Sequence, residues 1–264
     1  MNKTSIEWAD YTVNPIVFPT VLADDRGCFY RCPYCYVQKF SQRYRENFTP
    51  GFYPERIRGT MKESTIFIES IGDLFHPQVL DYEIEVILNA CSKLDSSNTI
   101  VLLTKNPGRY KRFLDLMQSN FVLGFTMETD MYTVPDFNSY VDWPFKRAED
   151  FISLDWQGLK WISYEPVMKA RNEVVLNYFK RIQPDWIAFG ANSISSVQIP
   201  EPTIAEMYHL TMRARRYCKN TIFKANLERF DLNADFYKIK WQTVNKFHHS
   251  EEPIKKVKRL EDYF

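Results

Sequence analysis

Cys28, Cys32 and Cys35 lie in one short run, Gly27-Cys28-Phe29-Tyr30-Arg31-Cys32-Pro33-Tyr34-Cys35-Tyr36, spaced C-x3-C-x2-C with an aromatic before the last cysteine. Three thiolates from one loop can hold three irons of a [4Fe-4S] cube and leave the fourth iron without a protein ligand. Such clusters ordinarily take four thiolates. An open coordination position is where a substrate or cofactor binds, as in catalytic zinc sites. A structural zinc knuckle would need a fourth protein ligand, and the next candidates, His76 and Cys91, are far along the chain. A cluster of inert thiols is the other reading.

The elements that must position this loop recur as short apolar runs followed by helical patterns. Strands are expected at residues 12–18, 65–71, 99–104, 121–126, 159–164, 186–189 and 221–224, the first weakened by its internal Pro15. Helices are expected over Asp81–Leu94, with Ile84, Ile87, Leu88 and Cys91 on one face and Asp81 as N-cap, and over Pro107–Gln118, Glu173–Ile182 and Thr203–Tyr217. Apolar strands alternating with helices indicate an α/β fold with a parallel sheet covered on its outer face. The number of units predicts a partial (β/α) barrel of about six parallel strands with outer helices, whose chemistry gathers at the C-terminal ends of the strands. Polar residues do recur there: Gly72, Asp73 and His76, then Thr104 and Lys105, Glu128, Glu165 and Lys224.

The cysteine run resembles the signature of the radical S-adenosylmethionine (SAM) superfamily, Tyr34 included. The resemblance implies that the unique iron chelates the amino and carboxylate groups of SAM. An electron then cleaves a carbon–sulfur bond to yield a 5'-deoxyadenosyl radical, which implies a donor such as flavodoxin or ferredoxin. It further implies that Tyr34 packs by the cluster or adenine, and that Gly72 and Asp73, as a degenerate Gly-Gly-Glu motif, hold the SAM amino group. Glu128 would bind the ribose, with Thr104 and Glu165 also in the cofactor site. Lys105 or Lys224 would pair with the SAM carboxylate or an anionic substrate, and His76 would donate a proton near SAM. Ser5-Ile6-Glu7-Trp8-Ala9-Asp10, Asp73-Leu74-Phe75-His76, Leu103-Thr104-Lys105, Tyr164-Glu165-Pro166 and Phe223-Lys224 narrow the likeness. In that order they resemble a phage- and mobile-element-associated, radical SAM-like family whose substrate is generally unassigned. The likeness runs from Ile6 to Lys224, with a more distant similarity to the spore photoproduct lyase branch, which includes DNA-repair enzymes. Many members of the phage family have a longer gap between the first two cysteines; the spacing here is that of active radical SAM enzymes.

Composition bounds the remaining classes. The 264 residues suit one barrel-type domain, taken as 1–230, with a C-terminal extension at 231–264. A net charge of +1 gives no global case for a nucleic-acid binder. Five cysteines, three in one metal-type motif, argue against a disulfide framework and for a reducing compartment. With no apolar signal core and no membrane-length apolar run, a cytoplasmic protein with no membrane contact is expected. Cys91 and Cys218 fall in helical patterns and read as packing residues. Arginines interleaved with aromatics at Gln42–Arg45 and Tyr53–Arg58, Arg213, Arg215 and Arg216, and the run Lys255–Arg259 could grip phosphate and stack bases. They suggest a nucleotide or nucleic-acid base as substrate, or else form solvated faces. Two other functions remain open: a non-enzymatic iron–sulfur or zinc protein binding nucleic acid or a partner, and a barrel hydrolase with Glu128 and Glu165 as paired acids.

Overall fold

The computed structural model describes residues 1–18, 30, 32–37, 49–131, 143–194, 197–218 and 220–230. Cys28, Gln42–Arg45 and the extension 231–264 with its Lys255–Arg259 run lie outside the described residues. The strands are β1 (Asn2–Lys3), β2 (Tyr11–Val13), β3 (Ile16–Val17), β4 (Gly51–Phe52), β5 (Thr65–Ile68), β6 (Thr99–Thr104), β7 (Phe121–Thr126), β8 (Leu159–Tyr164), β9 (Trp186–Phe189) and β10 (Asn220–Phe223). The α-helices among the described residues are α1 (Asp81–Cys91), α2 (Pro144–Ile152), α3 (Asn172–Ile182) and α4 (Ile204–Ala214).

One sheet runs β1-β2-β5-β6-β7-β8-β9-β10. β1 is antiparallel to β2, and from β2 to β10 every pairing is parallel. Each parallel strand lies beside its neighbour in sequence, so all crossovers step the same way. That is barrel winding; a doubly wound sheet reverses direction partway. The sheet is the parallel α/β arrangement expected, with seven parallel strands among the described residues.

Strand alternation separates two faces. Ile66, Ile68, Ile100, Leu102, Leu123, Phe125, Ile162 and Phe189 pack under the helices, against Ile84 and Leu88 of α1, Phe151 of α2, Phe179 of α3 and Leu210 of α4. The opposite residues, Val101, Val122, Trp161, Trp186, Ala188 and Ile222, gather around Trp8. Trp8 lies 4.8 Å, centroid to centroid, from both Phe67 and Trp161. Asp10 accepts from the Thr65 amide at 2.8 Å, and Glu7 accepts from the Ala225 amide at 3.0 Å. The N-terminal segment therefore crosses the inner face from the start of β5 to the end of β10.

Three expectations need correction. The strand expected at 12–18 breaks at Pro15, which lacks the N–H a ladder needs; β2 stays in the large sheet and β3 pairs instead with β4. Residues 107–118 form two short 3-10 turns, Pro107–Arg112 and Leu114–Leu116. Tertiary anchors hold them: the Tyr110 hydroxyl donates to Leu102 O at 3.0 Å and Gly124 O at 2.8 Å. Asp81 is the first helical residue after the Leu80 N-cap and pairs with Arg109 at 2.7 Å. Thr203, by contrast, caps α4 with a reciprocal Glu206 bond. Helix α2 does not follow from apolar periodicity, because its buried stripe, Pro144, Arg147, Ala148 and Phe151, carries an arginine where an apolar residue is expected.

Candidate active site

The period of two along each strand puts the continuation of the inner face at Lys105 after β6, Glu128 after β7, Glu165 after β8 and Lys224 after β10. All four are at C-terminal strand ends. Register reinforces this: Thr126 pairs with Ser163, Tyr164 with Phe189 and Phe223 with Phe189, so Glu165, Gly190 and Lys224 share one level.

Glu128 is a hub. Its Oε2 accepts from Arg147 of α2 at 2.6 Å, and its Oε1 accepts from the Tyr34 hydroxyl at 2.5 Å and from Lys105 Nζ. The second Arg147 terminal nitrogen donates to Thr126 O, and Lys105 Nζ also lies 3.1 Å from the Tyr34 hydroxyl. Glu128 and Arg147 are fully buried. Burial alone would raise the Glu128 pKa, but Arg147 and Lys105 outweigh it and hold the carboxyl at about 2. A group so firmly ionised does not serve as the proton-donating half of a pair of hydrolytic acids near neutral pH. Burial pushes the Tyr34 phenol well above its ordinary range, which keeps it a donor.

Tyr34 precedes Cys35 on a tight turn in which the Cys35 amide donates to Cys32 O at 3.0 Å. Cys32 is buried and Cys35 half-buried, packed with Tyr30 and Tyr34. Burial pushes the Cys32 thiol up to about 11, so metal binding there must displace a proton. Tyr36 ties the other side of the turn by donating to Ser70 O beyond β5.

Asp73, expected at the SAM amino group, accepts from Thr104 Oγ1 at 2.7 and 3.0 Å, from the Lys105 amide at 2.7 Å and from the Phe75 amide at 2.9 Å. It fixes the β5 and β6 ends to each other, with Thr104 as its partner. The nearby acid with spare capacity is Glu69, which falls inside the strand expected at 65–71 but lies just past its observed end at Ile68. Its backbone is left-handed, with φ 63°, a costly conformation for a residue with a Cβ. Its Oε1 accepts from the Ile16 amide at 2.6 Å, while buried Oε2 has no hydrogen-bond partner among the described residues. A Cβ at Gly72 would come within 2.8 Å of that oxygen, so only glycine leaves it this space. Burial raises the Glu69 pKa well above its ordinary value.

His76 is buried, with its ring 4.3 Å from Tyr30 and 5.4 Å from Phe18, centroid to centroid. Its Nδ1 accepts from the Gln78 amide at 3.1 Å, which assigns the proton to Nε2. Burial, helped by Arg109, lowers its pKa to about 4, so the ring is neutral near pH 7. Glu165 Oε2 accepts from Lys224 Nζ at 2.5 Å. The structure thus joins Tyr34, Lys105 and Glu128 in one group, Asp73 and Thr104 in a second, and Glu165 and Lys224 in a third. Of the basic residues considered for nucleic acid, Arg56 stacks on Tyr53 at 3.9 Å and donates to Asn14 O, and Arg213 pairs with Glu173. Arg147 was not legible as a site residue because it lies on a covering helix. An arginine within an apolar stripe was its available signal.

The model of one family, described as "Protein of unknown function (DUF5131)", matches residues 3–207. No curated protein matches the chain by sequence. Among solved structures, Streptococcus suis SuiB bound to S-adenosylmethionine is similar with a TM-score of 0.51 and 11% identity, covering 89% of this chain and 56% of that one. A spore photoproduct lyase mutant with bound AdoMet and dinucleoside spore photoproduct has a TM-score of 0.49 and 11% identity, covering 82% of this chain and 64% of that one. The chain thus spans under two thirds of the length of either. The likeness to SuiB concerns the fold, in keeping with the mostly parallel α/β sheet described above. No described helix is long and apolar enough to cross a membrane.

Proposed function

We propose that the chain, which belongs to the DUF5131 family, is a radical SAM enzyme acting on a nucleotide or nucleic-acid base. The observation that carries this reading is the tie between the cysteine turn and the polar strand ends, through Tyr34 to Glu128. Cys28, Cys32 and Cys35 would hold the [4Fe-4S] cluster, and with SAM the cluster would supply a 5'-deoxyadenosyl radical for attack on an unreactive bond. The residues present suit such a cofactor. The unpartnered Glu69 Oε2, in the space kept by Gly72, is an acceptor for an ammonium, a role that the saturated Asp73 carboxylate is less able to fill. Lys105 and Arg147 against Glu128 leave one surplus positive charge for a carboxylate. Tyr34 and Tyr36 orient the cysteine turn, and the Trp8 cluster excludes water from the inner face below it.

The test is anaerobic reconstitution with iron and sulfide, reduction with dithionite, and assay of SAM cleavage to 5'-deoxyadenosine. Product that disappears in Cys32→Ala supports the reading; zinc bound in place of iron overturns it. The nucleotide part rests on the motif resemblance to the phage-associated family and on the local arginine–aromatic pairs. Binding to DNA or RNA at low salt, where phosphate contacts are strongest, tests its polymer form.

A further inference from the structure

Glu165 and Lys224 hold hydrogen-bonding capacity that nothing in the described structure uses. Glu165 Oε2 accepts from Lys224 Nζ at 2.5 Å. Among the described residues Glu165 Oε1 accepts from no donor, and Lys224 Nζ, which carries three N–H groups, donates nowhere else. Both side chains are 22% exposed, so they open toward the strand ends without being loose surface groups. Gly190 forms the floor. A Cβ there would lie 2.5 Å from Glu165 Oε1, so the carboxylate rests on bare backbone. The asparagine at 226 locks the next residue by accepting from the Ala191 amide at 2.9 Å and donating to Ala191 O at 2.8 Å.

The pair is also neutral as a whole, unlike the Lys105–Arg147–Glu128 group with its extra positive charge. An anion gains little from a lysine whose charge is already matched. A neutral planar edge gains from both halves.

We infer that the Glu165–Lys224 pair reads the uncharged donor–acceptor edge of a heterocyclic amide, taking its N–H on Glu165 Oε1 and donating to its C=O from Lys224 Nζ. A nucleobase lactam edge has this chemistry, and the inference rests on the nucleobase reading above. It gives Lys224 a neutral ligand in place of an anion.

The test titrates the full-length chain with uridine, 3-methyluridine, 2-pyridone and inorganic phosphate, read by saturation-transfer NMR. It repeats the titrations on a variant carrying both Glu165→Lys and Lys224→Glu. The methyl of 3-methyluridine replaces the N–H, and the exchanged variant keeps an ion pair while reversing donor and acceptor. Circular dichroism verifies its fold, and the methylated ligand needs no variant at all. Uridine should bind the natural chain about tenfold more tightly than 3-methyluridine, the worth of one hydrogen bond to a charged group. The exchange should abolish that preference, and phosphate should not compete. Equal binding of the two nucleosides, or a preference surviving the exchange, overturns the pair as reader while leaving a nucleobase substrate standing. Binding of 2-pyridone, lost on exchange, with no binding of uridine upholds the pair and removes the nucleobase. Competition by phosphate, or no binding by any lactam, overturns the inference.

Discussion

Glu128 and Glu165 occupy matching ends of adjacent strands β7 and β8, and each meets a lysine, yet their surroundings make them different devices. Glu128 is fully buried and its two oxygens take donors from Arg147, Lys105 and Tyr34. Among the described residues Glu165 takes one donor, from Lys224, and keeps an open oxygen over Gly190. The partner that makes the difference comes from the covering layer, where α2 supplies Arg147 beneath β7. A saturated carboxylate holds structure; an unsaturated one at the same level of the sheet is available to a ligand.

The comparison breaks most sharply at Arg147. Arg147→Met leaves Glu128 buried without its arginine partner and should cost about 3–5 kcal/mol in urea unfolding. A loss below about 1 kcal/mol would mean the hub is no more committed than the Glu165 pair. Acid offers a second break. The folded Glu128 pKa of about 2 lies below its ordinary value of 4.5, so the unfolded chain takes up the proton first. The stability this gives is complete above about pH 4.5 and is lost as pH falls toward 2, by roughly 3 kcal/mol. The stability gap between the natural chain and Glu128→Gln should therefore narrow across that window; a gap constant with pH contradicts the ion-pair account.

Gly190→Ala sharpens the other side. The added Cβ must push the flexible Glu165 carboxylate aside, at a stability cost of about 1 kcal/mol. Uridine binding should weaken more than stability does, and unchanged binding would remove Gly190 as the floor. The smallest effect belongs to Lys224→Met. A partly exposed pair contributes under about 1 kcal/mol, so the melting temperature should hardly move while ligand binding falls. A large drop in melting temperature would make this pair structural like the first.

The succession of apolar strands was legible from Thr65 to Phe223, because each strand is buried on both faces and reads as a continuous apolar run. The covering layer was less so, since 107–118 forms 3-10 turns and Pro144–Ile152 an unexpected helix. Two kinds of residue escaped. Pro15 was seen to weaken a strand, yet which sheet each half would join depends on β4, distant in sequence. Arg147 stands out in sequence only as an arginine within an apolar stripe, and Glu69 only as one acid in a strand run. Their meaning lies in what they meet, a carboxylate across a covering helix and a glycine without a Cβ.

The sequence by itself determined the thiol spacing, the winding of the sheet and the polar residues at its strand ends, since these follow from local periodicity and side-chain chemistry. Only the tertiary structure decided which acid is saturated and which retains an open oxygen. That depends on donors arriving from Tyr34, Arg147 and Lys224 across the fold. Hydrogen-bonding capacity is a balance between partners distant in the chain, and no single segment carries both sides of it.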